Sequence, residues 1–246
     1  MDLIKLLRSQ GFGSRSDAKY LIENELVRIN GELQLDPKKN FKEPFGLAMD
    51  VDGEAFTSSE HVYIAMHKPL NHETSHRPQH HESVFSLLPG RFLARNVQAV
   101  GRLDVDTTGL LLFSDDGQFI HRVSSGNKHC VKTYEITAKH PINDEWLRRL
   151  TDGVMLHDDH EEVRALTCTA LDAHRFVMQI DSGKYHQVKR MVAAAGNRVD
   201  ALHRIGVGLF ALPHDLEQGQ WRHLTDDEIA LCLSQGGAKT IEKTSH

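Results

Sequence analysis

The sequence predicts an α+β protein in two parts, the larger built on a mixed or antiparallel sheet. Two short amphipathic helices feed a hairpin within about the first forty residues. Strand-like alternation then begins near His61, and helices interrupt the strands irregularly with no βαβ repeat. At 246 residues the chain has room for two domains. The expected boundaries are a front module with its linker over 1–58, a larger domain over 59–235, and a polar tail over 236–246 that frays.

In the front module, Leu3, Leu6 and Leu7 lie at helical spacing and Gly11 and Gly13 stop that helix. Ser14 caps a second helix with Asp17 three residues on, and Ala18, Leu21 and Ile22 continue its apolar face. Val27 and Ile29 alternate with Arg28, Asn30-Gly31 makes a two-residue turn, and Leu33 and Leu35 return. Pro37 to Gly53 is polar and reads as an extended return strand and a linker.

In the larger domain the strand candidates are Val62–Met66, the stretch at Gln98–Val100, Leu110–Phe113, Tyr134–Ala138 and Phe176–Ile180. Helices are expected over Trp146–Leu150 before Gly153 and over Val188–Ala195 before Gly196. Thr225 and Glu228 form a capping box for a last helix through Ile229 and Leu233.

Composition excludes several classes. Hydrophobic residues at 39% and charged residues at 26% are those of a globular protein, neither fibrous nor disordered. The apolar runs are far too short to span a bilayer, and no basic-then-apolar leader opens the chain, so no membrane partner is expected. Cys130, Cys168 and Cys232 lie far apart, which argues for a reducing cytoplasm over a disulfide scaffold. A net charge of −5 argues against a protein that coats nucleic acid indiscriminately, but leaves room for a local basic patch.

Three blocks stand out as carriers of chemistry. Gly101-Arg102-Leu103-Asp104-Val105-Asp106-Thr107-Thr108-Gly109-Leu110 is a tight loop between buried strands, rigid enough to hold a catalytic carboxylate, or else a solvated acidic turn. Lys132-Thr133-Tyr134 puts an aromatic hydroxyl on the apolar face of a strand, where a plain core tyrosine is the other reading. Gly183-Lys184-Tyr185-His186-Gln187-Val188-Lys189-Arg190-Met191 is a glycine turn into a helix with Lys189 and Arg190 beside its apolar face, where a solvated basic face is the alternative.

Residues 14–31 resemble the S-four-type RNA-binding domain, whose second helix and hairpin (an αL arrangement) clasp structured RNA. That resemblance implies RNA contacts at Arg15, Lys19 and Arg28. Residues 1–42 carry eight Lys/Arg against six Asp/Glu, a net of only +2, so phosphate attraction should be modest.

The larger domain resembles the pseudouridine synthases, in the branch that modifies small-subunit ribosomal RNA. The resemblance rests on His67-Lys68-Pro69, the Gly101–Gly117 block, His121-Arg122, Lys132-Thr133-Tyr134, Gly183–Met191, Leu202-His203-Arg204-Ile205-Gly206 and Leu224–Ile229. It implies a largely antiparallel sheet split by a central cleft. It also implies Asp104 as the catalytic residue, Tyr134 packing on the target uracil, and Lys189 as the basic partner of Asp104. Arg102 is then a base-flipping or phosphate-steering candidate, and Lys184, Arg190, Arg198 and Arg204 a basic lining for RNA. The reaction is a net isomerisation of uridine, so no cofactor and no metal are expected. The implied setting is a cytoplasmic monomer acting on ribosomal RNA within a small-subunit assembly intermediate.

Three alternatives stay open at this point. Large-subunit enzymes share the catalytic blocks. A non-enzymatic ribosomal-RNA-binding assembly protein would need only the front module. His72-Glu73-Thr74-Ser75-His76 also matches the zinc-protease pattern, which requires a helix so that both imidazoles share a face. Pro69 and Pro78 bracket it, and a histidine-rich surface loop is the better reading.

Overall fold

The computed structural model describes residues 1–125, 130–156 and 161–237. They form two compact units, Met1–Val62 with Leu88–Gln98, and Tyr63–Leu87 with the chain from Ala99 onward. Residues 238–246, most of the expected frayed tail, lie outside the described residues.

In the first unit, helix α1 (Leu3–Ser9) is capped by the Asp2 side chain, which accepts from the Lys5 backbone N–H. Helix α2 (Arg15–Glu23) opens on the reciprocal Ser14–Asp17 capping box that the sequence predicts. Strands β1 (Val27–Ile29) and β2 (Glu32–Leu33) are antiparallel across Asn30-Gly31, whose φ values of 51° and 83° suit a tight primed turn. The expected linker is instead more sheet. Strands β3 (Ala48–Val51) and β4 (Glu54–Thr57) form a second hairpin over Asp52-Gly53 and complete the order β2-β1-β3-β4. Met49 and Val51 point into the core shared by Leu3, Leu6, Leu7, Ile22, Val27 and Ile29. A short helix from the middle of the chain, α3 (Gly90–Ala94), joins this unit. Arg91 pairs with Glu54 and lies 4.4 Å over the Phe56 ring, and Phe92 and Val97 are fully buried.

The second unit is a nine-stranded sheet with smaller hairpins around it. Its chain order begins with β5 (Tyr63–Lys68), the small parallel pair β6 (His72–Glu73) and β7 (Glu82–Ser83), then β8 (Gln98–Val100) and β9 (Thr107–Ser114). Helix α4 (Gly117–Ser124), strand β10 (Lys132–Ala138) and helix α5 (Asp144–Asp152) follow. A small hairpin of β11 (Val154–Leu156) and β12 (Glu161–Val163) precedes β13 (Thr167–Ala170) and β14 (Arg175–Ile180). Helix α6 (Gln187–Ala194), strands β15 (Val199–Val207), β16 (Phe210–Ala211) and β17 (Trp221–His223), and helix α7 (Asp226–Cys232) complete it. The sheet runs β13-β14-β10-β15-β9-β5-β17, with β16 on β15 and β8 on β9. β9 and β15 are parallel, whereas the other registered pairs of this sheet are antiparallel. This is the mixed, mostly antiparallel α+β sheet that the sequence predicts.

The central strands β9 and β5 are buried along most of their length, from Ile64 to Met66 and from Gly109 to Ser114, which gives the site a rigid back wall. Gly109 allows the β9–β15 contact. Its φ is 105°, and a Cβ there would sit 2.3 Å from the Arg204 carbonyl oxygen. Helix α7 opens on the Thr225–Glu228 capping box, and Arg222 adds a forked pair of hydrogen bonds to Glu228 at 2.6 and 2.7 Å.

Candidate active site

The loop between β8 and β9 presents Asp104 and Asp106 towards the first turns of α6. Lys189 Nζ donates to Asp104 Oδ2 at 2.9 Å and to Asp106 Oδ1 at 2.6 Å. His186 Nε2 lies 3.2 Å from the other Asp104 oxygen. His186 precedes the helix in the left-handed region, φ 49°, and makes no capping bond, so its ring is free to face the carboxylate. Burial alone pulls the Lys189 ammonium down, but its bonds to Asp106 and Asp104 outweigh that and leave its pKa raised. For Asp106, burial pushes the carboxyl up and the Lys189 hydrogen bond and charge pull it below the ordinary value.

Behind this cluster is a cavity of about 400 Å³, within the range of small-ligand sites, roughly 300–1,000 Å³. Arg102, Asp104, Tyr134, Lys184, Lys189 and Arg204 all line it. Tyr134 is buried on β10 directly across from Arg204 on β15, so the two side chains share one face of the sheet. Beside the loop, Lys68 at the end of β5 is fully buried and donates to the carbonyls of Pro69 and Thr107, both at 2.9 Å. Burial lowers its pKa to about 8, against the attraction of Asp104 and Asp106. Lys68 thus clamps the foot of the Asp104 loop to β5.

A profile for the family described as RNA pseudouridylate synthase matches residues 62–194. The chain is 37% identical to the ribosomal small subunit pseudouridine synthase A of Yersinia pestis, over 86% of each chain. It is 32% identical to the protein of the same name from Pasteurella multocida, over 94% of this chain and 98% of that one. A crystal structure of a pseudouridylate synthase matches with a TM-score of 0.66 at 33% identity, over 94% of this chain and 99% of the other. The chain belongs to the RNA pseudouridylate synthase family. It is an RNA pseudouridine synthase.

Within this synthase the residues expected at the site are not all equivalent. Asp104, Lys189, Tyr134 and Arg102 meet at the cavity, with Arg102 exposed at its edge. Lys184 is held by Glu161, so its charge is already compensated. Arg190 lies on α6 with a hydrogen bond to the Tyr185 carbonyl at 3.4 Å. Arg204, expected on an RNA-facing lining, is buried, and its Nε donates to the Leu110 carbonyl at 2.7 Å. Arg198 is exposed ahead of β15 and does not line the cavity. Arg15, Lys19 and Arg28 belong to the first unit, where all three are exposed and Lys19 pairs with Glu23 at 3.2 Å.

His72 and Glu73 form a two-residue strand, not the helix that a zinc-protease motif needs. The Glu73 carboxylate accepts the backbone N–H groups of Gln79, His80 and His81 at 2.8–3.0 Å, and His76 stacks on Phe85. Glu73 therefore ties off a loop. Among the described residues, no group of three or more His, Cys, Asp or Glu side chains is placed to hold a metal.

His186, Lys68 and Lys132 belong to the site or its support, and the sequence alone assigns them no role. The available signal was phase. Lys132 falls on the same face of β10 as Tyr134 and Ile136, where an apolar residue would be expected.

Proposed function

We propose that this synthase isomerises a uridine in small-subunit ribosomal RNA, with Asp104 as its catalytic carboxylate. The observation that carries the reading is the position of Asp104, bonded to Lys189 at 2.9 Å and bordering a cavity lined by Tyr134. The small-subunit assignment is supported by relatives named for that activity and aligned along most of the chain.

The target uridine is flipped out of its stack into the cavity, because its glycosidic bond is inaccessible within a helix. Tyr134 packs against the ring, and Asp104 supplies the anionic nucleophile or base that opens the reaction. Lys189 offsets the carboxylate charge and fixes its orientation. Arg102, at the cavity edge, steers the phosphate or fills the place of the flipped base. The exposed Arg15, Lys19 and Arg28 of the first unit grip structured RNA and, with Lys184 and Arg190, complete the RNA contacts, whereas the buried Arg204 faces the cavity. The protein works as a cytoplasmic monomer on an assembly intermediate in which the target strand is still accessible.

The test is tritium release from small-subunit RNA transcripts labelled at uridine carbon-5, followed by mapping of the modified position. Asp104→Asn keeps the size of the side chain but removes its anionic chemistry, and should lower turnover by about 10²–10⁴-fold or more with RNA affinity nearly unchanged. Asp106→Asn should cost no more than about tenfold, since its amide oxygen still accepts from Lys189. Full activity in Asp104→Asn, or equal losses in both variants, would defeat the assignment.

A further inference from the structure

Four buried side-chain polar atoms have no hydrogen-bond partner among the described residues, and three of them belong to residues lining the same cavity. They are Lys132 Nζ, Arg204 Nη2 and Thr107 Oγ1. Lys132 is 7% exposed, Arg204 4% and Thr107 1%. Leaving a buried donor unpaired is costly, and doubly so for a charged one. Two such cations lining one cavity leave hydrogen-bond donors available to a ligand there.

The placement is specific. Lys132 and Tyr134 are two residues apart on β10 and so share a face, and Arg204 is the cross-strand neighbour of Tyr134. Thr107 pairs with Leu202 on β15, one further step along that face. Asp181 acts on Lys132 only through space, without a hydrogen bond to Nζ. Lys189, by contrast, already has both of its carboxylate partners. The two cations are thus separate in role from the Asp104 cluster. They offer hydrogen-bond donors beside the ring that Tyr134 stacks on, where a pyrimidine-dione presents its carbonyl oxygens.

Resting on the proposed uridine isomerisation, we propose that Lys132 and Arg204 hold the uracil ring by its carbonyl oxygens and stabilise it after it leaves the sugar. Breaking the C1′–N1 bond leaves the electron pair on the ring as a uracilate, its charge spread over N1, O2 and O4. Meanwhile C1′ gains a pair either from the Asp104 carboxylate or from the C2′–H bond, whose proton Asp104 then takes. The ring turns, and C5 gives a pair to C1′ while Asp104 departs or returns its proton. The C5 proton is then lost and N1 takes one up. Charge therefore develops on the oxygens only in the detached state, where preorganised donors contribute most. Burial lowers the pKa of Lys132, and an oxygen anion at Nζ favours its ammonium form.

The test uses the full chain and an RNA fragment spanning the mapped uridine, with that uridine replaced by 2-thiouridine or 4-thiouridine, whose sulfur accepts hydrogen bonds poorly. In the wild-type protein at least one replacement should slow single-turnover isomerisation by about tenfold or more. Lys132→Met should slow the unmodified substrate by about 10²–10³-fold with RNA affinity within about threefold of wild type, and should abolish the thio penalty. Unchanged turnover in Lys132→Met overturns the proposal, as do equal thio penalties in both proteins. So does the absence of any thio effect in the wild type, a measurement that stands even if the variant fails to fold. Asp104→Asn run alongside separates the layers. If it is active, the underlying reading fails, whereas if it is inactive while Lys132→Met is active, only the role of Lys132 falls.

Discussion

Lys68 and Lys189 flank the same pair of carboxylates, yet their environments push them in opposite directions. Lys189 is partly exposed and bonded to both acids, which raises its pKa. Lys68 is fully buried and bonded to carbonyls, and burial lowers it to about 8 from an ordinary 10.5. Between those two values the unfolded chain holds the Lys68 proton and the folded chain has shed it. Stability from this group therefore rises with pH across that window, and below about 8 its cost is constant. In urea unfolding at pH 7.5 to 10.5, wild type should gain on Lys68→Met as pH rises, even though the variant is less stable at every pH because two carbonyls lose their donor. A stability difference that stays flat across this range would mean that Lys68 does not titrate there.

At the scale of elements, the site depends on the close approach of β9 to β15. Gly109→Ala forces a Cβ to within 2.3 Å of the Arg204 carbonyl at a φ of 105°, so the strands must part. The expected cost is about 2–4 kcal/mol, read as a lowered urea midpoint, with activity lost beyond what stability explains because Arg204 and Leu202 move. Wild-type stability in that variant would contradict the close packing. The elements that the sequence discloses are those specified locally. The Ser14–Asp17 and Thr225–Glu228 capping boxes span four residues each, and the Asn30-Gly31 turn spans two. The β3–β4 hairpin escaped because acidic residues around Asp52-Gly53 mask the Met49 and Val51 alternation. Helix α3 gives no hint of its destination, since Arg91 finds Glu54 across a separation of 37 residues. Asp104, Tyr134 and Lys189 were legible as motif positions. The buried ammonium groups of Lys68 and Lys132 were not, because charge in a sequence ordinarily signals the surface.

At the scale of the molecule, the excursion of Leu88–Gln98 into the first unit bears on how the two parts can be separated. Removal of residues 1–56 takes away most of the unit to which Phe92 and Val97, both fully buried, belong. The simple truncation should be aggregation-prone, whereas one that also replaces 88–98 with a short polar linker should melt cooperatively as the second unit alone. Calorimetry and light scattering on both proteins check this, and equal behaviour would show that the segment does not depend on the first unit. The most direct test of the whole account is a pseudouridine map of ribosomal RNA from cells lacking this chain, complemented with wild type or with Asp104→Asn. One small-subunit position should be lost in the deletion, restored by wild type and not by Asp104→Asn. An unchanged small-subunit map, or restoration by Asp104→Asn, would contradict it.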